Sequence, residues 1–283
     1  MTYQAEISRA NPTCFVFLVD HSTSMQDPIL GLPGNPKKSD LAANALNKVI
    51  QSLIVSASKD LEIRNYFKVG IIGYGFEVKS LWTGELAGKD LVWIDEIYQN
   101  PLQIEERIRV EIDDEGNEVQ IPIKYPIWVK PEARGQTQMC AALNLAGELL
   151  RGWVNEFPDS FPPTVINITD GEANDGDPKT IADDIRRIQT SDGNVILMTV
   201  HVSSNPYGEQ IFFPGANNPL PDHFSKTMYS MSSVLPDGMK RIASELTGFD
   251  VAEDAHGFVY NADISGIVQA LEIGTRPSNT PNQ

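Results

Sequence analysis

"CFVFLVDHSTSMQDPI", residues 14–29, holds the decision about the fold. Of the six residues Cys14 to Val19, five are aliphatic or aromatic, and they do not alternate with polar ones. A short apolar run of that kind suits a strand buried on both faces, as in a parallel sheet. Five polar residues then follow in a row: Asp20, His21, Ser22, Thr23 and Ser24. Asp20, Ser22 and Ser24 stand at alternate positions. That spacing fits a loop wrapping around one point, with His21 and Thr23 turned away. His21 is expected to be solvated or held by a structural hydrogen bond.

Outward from this stretch, strand-like and helix-like patterns alternate. "SDLAANALNKVIQSLIVSAS" from Ser39 has apolar residues at helical spacing, with Ser39 as a candidate N-cap. "YFKVGIIGYG" reads as a second buried strand, with "EVKSLWT" as an edge strand beside it. "MCAALNLAGELLRGWVNEF" is an amphipathic helix and "PTVINITDG" a third buried strand. "PKTIADDIRRIQT" is a helix with Pro in its first turn, and "NVILMTVHV" a fourth buried strand. "LPDGMKRIASELTG" is helical and ends at Gly248, "GFVYNA" is a last strand and "DISGIVQALEIG" a closing helix. Strands separated by such helices predict βαβ units. The expected architecture is one domain over 1–283: a doubly wound, mostly parallel sheet with helices on both faces. Residues 275–283 are expected to form a disordered tail.

Two segments interrupt the rhythm. Residues 85–133 read as an insertion, in which "RIRVEI" and "VQIPIKY" flank "DDEGNE" as a β-hairpin turning near Gly116. Residues 204–234 read as a long Pro/Gly/Asn-rich connection, packed through its Phe residues and Tyr207.

Composition narrows the function classes. The chain has 283 residues, 22 Lys+Arg against 38 Asp+Glu, and a formal charge of -16. Nucleic-acid binding rests on clustered cations, so no nucleic-acid partner is expected. An acidic surface also repels anionic membranes, and no run nears the roughly 18 apolar residues of a membrane span. The two cysteines, Cys14 and Cys140, fall in apolar or helical runs and read as buried free thiols. "MTYQAEISRANPT" has no basic segment followed by an apolar core, so a cytoplasmic location is expected.

In an open parallel sheet, ligands bind beyond the carboxyl ends of the strands. Asp20, Ser22 and Ser24 follow the first strand. Asp170, Gly171 and Glu172 follow the third, and Thr137 in "RGQTQ" precedes the amphipathic helix. If these loops converge, they bring together two carboxylates and three hydroxyls. All are hard oxygen donors, suited to Mg and poorly suited to zinc or copper. Neutral hydroxyl ligands leave the ion's charge largely uncancelled. Such an ion seeks an anionic ligand from outside, such as a partner's Asp or Glu. Glu172 and Asp175 read as a solvated turn that adds negative potential.

"DHSTS" resembles the D-x-S-x-S motif of the von Willebrand factor A (vWA) domain family. "GQTQM" and "TDGE" stand where that family has its Thr loop and second Asp loop. The order of elements is similar over roughly residues 11–275. The resemblance implies a metal-ion-dependent adhesion site with Ser22, Ser24 and Thr137 as hydroxyl ligands, and with Asp20 and Asp170 acting mainly through metal-bound waters. The ion implied is Mg, with Mn or Ca as substitutes. Thr23, at a position where the family often has Gly, the bulky His21 and the inserted hairpin depart from the common pattern.

Other motifs fail on spacing. "GLPGNPKKS" has Pro36 where a phosphate loop needs its second Gly. In an EF-hand register from Asp170, position 6 is Asp175 and position 12 is Ile181. A haloacid-type phosphatase needs an acid where Ser22 stands, and the G-x-S-x-G of a serine hydrolase is absent. The expectation is therefore a non-enzymatic, Mg-dependent protein–protein interaction module with no catalytic residues. By resemblance it is a stand-alone, intracellular, bacterial-type domain working with an ATPase or a kinase/phosphatase system. The alternatives are a metal-dependent phosphohydrolase and a structural subunit with a vestigial metal site.

Overall fold

In the computed structural model, residues 3–30, 32–60, 62–112, 116–203 and 208–276 are described. Tyr207 and most of the expected tail lie outside them. In chain order the elements are β1 (Thr13–Asp20), α1 (Lys38–Ala57), β2 (Ser58–Lys59), β3 (Glu62–Ile63), β4 (Phe67–Tyr74), β5 (Val78–Ser80) and β6 (Leu91–Trp93). Then come α2 (Ile94–Gln99), β7 (Gln103–Ile112), β8 (Glu118–Ile127), α3 (Met139–Glu156), β9 (Thr164–Thr169), α4 (Pro178–Ile185) and β10 (Ile196–Val202). The chain continues through β11 (Ile211–Phe212), α5 (His223–Met231), α6 (Asp237–Thr247), β12 (Phe258–Ala262) and α7 (Ile264–Thr275).

The main sheet runs β11-β12-β10-β9-β1-β4-β5, with β6 also paired to β4. The inner pairs β12-β10, β10-β9, β9-β1 and β1-β4 are parallel, and the edges β11, β5 and β6 are antiparallel. This is the expected doubly wound α/β sheet. Every residue of β1 is buried. Its side chains alternate between the two faces: Phe15, Phe17 and Val19 pack in one core with α1, α6 and α7, and Cys14, Val16 and Leu18 pack in the other with α3, α4 and α5. The apolar stripe of α3 at helical spacing, Met139, Ala142, Leu143, Ala146, Leu150 and Trp153, covers the second face.

Three local expectations change. Ser39 is not the cap of α1: the helix begins one residue earlier, at Lys38, with Lys37 at the N-cap and Asp40 folding back to the Lys37 N–H. The 204–234 segment is not a plain loop, because it contributes β11 and the helix α5. Asp222 caps α5, accepting from Ser225 N at 2.7 Å while Ser225 Oγ accepts from Asp222 N. The spacing D-x-x-S was the sequence signal for it. Part of the 85–133 segment belongs to the main sheet, since β6 pairs with β4. The rest forms the β7–β8 hairpin, paired from Gln103↔Ile127 to Ile112↔Glu118. No helix among the described residues is long and apolar enough to cross a membrane.

Candidate metal centre

The parallel register sets the site. Val19 pairs with Ile168, and Asp20 pairs with Tyr74 on the other side. The ends of β1 and β9 therefore lie together, where connections from the central strand leave in opposite directions. Asp20 is wholly buried. Its Oδ1 accepts from the Ser22 N–H at 2.7 Å, and its Oδ2 accepts from the Thr169 hydroxyl at 2.6 Å. Burial pushes its carboxyl up to about 6, against the Ser22 and Thr169 hydrogen bonds that lower it, with Asp170 adding repulsion.

From Asp20 the chain turns through a short 3-10 segment. Ser22 sits at its N-cap but makes no side-chain capping bond. Its hydroxyl lies 3.0 Å from that of Ser24, which in turn donates to Asp170 Oδ1 at 2.7 Å. With Ser24 committed to Asp170, Ser22 is the donor of that pair, which leaves the Ser22 lone pairs available. Four of the five residues expected at the site thus form one polar chain. Thr137 is their neighbour: its hydroxyl lies 3.8 Å from where a Cβ on Gly171 would sit. It makes no side-chain hydrogen bond to the other four.

Side chains that the sequence reading passed over hold the loops in place. Asn174 clamps the Thr137 loop, accepting from Thr137 N through Oδ1 and donating to Thr137 O from its own N–H, both at 2.9 Å. Asp175, in an exposed turn as expected, also accepts from the N–H groups of Cys140 and Ala141 at 3.0 and 2.9 Å, so it caps α3. Burial and then Asp175 push the Cys140 thiol up to about 12. Thr23, far from pointing idly away, ties the first loop to the third. Its N–H and hydroxyl both meet Gly135 O, and Gly135 N meets its hydroxyl at 3.1 Å. Gly135 has φ +92°, and a Cβ there would stand 2.4 Å from Phe76 N, so the β4–β5 turn can approach only a glycine.

His21 is buried, not solvated. A Cβ on Gly73 would come within 3.0 Å of its ring, and the Glu132 carboxylate lies 4.0 Å away. Burial lowers its pKa to about 4.

The least expected member is Lys38, the first residue of α1. Its side chain is only 7 % exposed, and Nζ donates to Asp170 Oδ2 at 2.7 Å, with Asp27 Oδ2 at 3.4 Å. The Asp170 side chain is 1 % exposed. At the rim, Phe76 is 67 % exposed, with the Arg134 guanidinium 4.9 Å from its ring centre.

Chemically, the cluster offers two carboxylates and hydroxyl oxygens with no imidazole or thiolate among them. That donor set fits a hard divalent cation such as Mg²⁺ and does not fit zinc. Among the described residues, no group of three or more His, Cys, Asp or Glu side chains is gathered as a metal cluster.

No protein-family model and no curated protein matches the chain. Solved structures do match. Proximal thread matrix protein 1 from the mussel byssus aligns with a TM-score of 0.51 and 12% identity, over 97% of this chain and 49% of that one. The vWF domain of the type V pili tip protein Mfa5 from Porphyromonas gingivalis aligns with a TM-score of 0.32 and 12% identity, over 58% of this chain and 39% of that one. The chain spans about half the length of the mussel protein, and what it shares with that protein is the fold.

Proposed function

We propose that the chain is a vWA-like interaction module whose strand-end site holds Mg²⁺ and, through it, a carboxylate of a partner protein. The observation that carries the reading is the polar chain Ser22–Ser24–Asp170 beside the buried Asp20, at the carboxyl ends of two adjacent parallel strands. Ser22, Ser24 and Thr137 would hold the ion directly. Asp20 and Asp170 would hold it mainly through water. The ion would supply an electrophilic point for an incoming carboxylate.

This chain's own residues do the rest. Both oxygens of Asp20 are engaged, by the Ser22 N–H and the Thr169 hydroxyl, which suits an orienting acid rather than a nucleophile and supports the non-enzymatic reading. Asn174 and Thr23 fix the Thr137 loop against the other two loops. Phe76 gives the rim an exposed aromatic contact of the kind that anchors protein interfaces, with Arg134, paired to Glu132 at 3.1 Å, against its ring.

The test is a capture experiment in Mg²⁺, repeated with a chelator and with Ser22→Ala plus Ser24→Ala. The reading requires a partner retained by the wild type in Mg²⁺ and lost in both other arms. A partner set that does not change between the arms refutes it.

A further inference from the structure

Lys38 stands where simple electrostatics would not put it. Lysine is almost never buried unless paired, and an ammonium at a helix N-terminus faces the positive end of the helix dipole. Yet Lys38 opens α1, and its Nζ is held on Asp170 inside the site. Asp27 is the second acid in reach, 3.4 Å away, but its side chain is 60 % exposed, so this pair contributes less than the buried one. The close partner is Asp170, the carboxylate assigned above to the metal.

We propose that Lys38 is the resident counter-ion of the site: it neutralises Asp170 when no divalent ion is bound, and it lowers the affinity of the site for that ion. This rests on the metal-site reading. The charge count gives the reason. Asp20 and Asp170 together carry about two negative charges when ionised, enough to balance Mg²⁺ with nothing left over. With Lys38 beside them the buried groups and the ion sum to one positive charge, offset only by the exposed Asp27 at the edge. The ion is then held less tightly by the protein alone, and an incoming carboxylate meets a net cation. Phe76 and Arg134 at the rim would lie beside that carboxylate, so a partner with an acid next to an apolar side chain fits best.

A unit charge a few ångströms from an ion, even partly screened, changes affinity by about tenfold or more. Calorimetric titration with MgCl2 should therefore show Lys38→Gln and Lys38→Met binding at least tenfold more tightly than the wild type. Each variant leaves Asp170 buried without its partner, so each is less stable before metal is added. A thermal melt against MgCl2 covers that case: the rise in Tm should be larger in the variants than in the wild type, because at one MgCl2 concentration a tighter ligand stabilises more. Equal or weaker Mg²⁺ binding by both variants, with no larger rise in Tm, overturns the role of Lys38 and leaves the metal site standing. If the wild type and both variants fail to bind Mg²⁺, the metal-site reading falls and takes this inference with it.

Discussion

At the carboxyl ends of β1 and β9, Asp20, Ser22, Thr137 and Lys38 are polar and buried. On the outer face of the β7–β8 hairpin, Ile104, Ile108 and Ile112 are apolar and mostly exposed. Each region reverses the usual relation between polarity and burial. In the first, hydrogen bonds of 2.6–3.0 Å join Asp20, Ser22, Ser24, Asp170, Thr169 and Lys38 into one network, so removing one strands its neighbour. In the second, cross-strand pairing fixes the backbone. On the other face of the hairpin Arg107 of β7 stacks 3.8 Å above the Tyr125 ring of β8 and joins the two strands to each other. Buried polar groups are therefore coupled, whereas exposed apolar ones act singly.

The comparison breaks most easily at Asp170. Asp170→Ala leaves the Lys38 ammonium buried with only the exposed Asp27 beside it, and should cost about 3 kcal/mol in urea unfolding. Adding Lys38→Met to Asp170→Ala should return much of that loss. A fully additive double variant would show that the pair is not coupled.

The next effect is pH dependence, and it sharpens the comparison because the buried groups pull in opposite directions. His21 and His201 are both lowered to about 4 by burial. Unfolded histidine takes up its proton first, so stability is full above about pH 6.5 and falls as pH drops toward 4. Each histidine withdraws about 2 kcal/mol between pH 6.5 and 5. Asp20 is raised to about 6, so the native form is protonated first and stability rises as pH falls through that value. Between pH 6 and 5 that returns about 1 kcal/mol. Urea midpoints measured from pH 7 to 5 should show a net fall. The His201→Gln protein, which keeps an acceptor for the Asn261 N–H, should show a shallower one. An unchanged slope removes His201 from the account.

How much of this was legible in the sequence differs between the same two regions. The buried strands announce themselves by unbroken apolar runs, and Asp20, Ser22, Ser24, Thr137 and Asp170 fall at strand or helix ends, where a fold-level rule looks for ligands. The structure brings four of them into one chain and sets Thr137 beside it. Lys38, Asn174 and Thr169 were not legible. Their roles depend on partners 132, 37 and 149 residues away, and no local spacing encodes such a meeting. The capping role of Asp175 was hidden for the same reason, because the Cys140 N–H it accepts from lies 35 residues earlier in the chain. The hairpin was readable from its turn, but the pairing of β6 with β4 was not, since three residues carry little period.

Smaller effects follow. Thr23→Val removes the hydroxyl that meets both polar groups of Gly135, and should cost about 1 kcal/mol in the same unfolding assay. Ile108→Ser, on the exposed face of the hairpin, should stay within about 0.5 kcal/mol of wild type. A loss above 2 kcal/mol there would mean that the face is covered in solution, and the contrast between the two regions would fail.

The central claim is that the strand-end loops form a hard-cation site, and calorimetric titration of the chain with MgCl2 tests it most directly. The account requires saturable binding by the wild type that weakens at least tenfold in Ser22→Ala plus Ser24→Ala while the fold is retained by circular dichroism. Absence of binding by the wild type, or equal binding by the double variant, contradicts it.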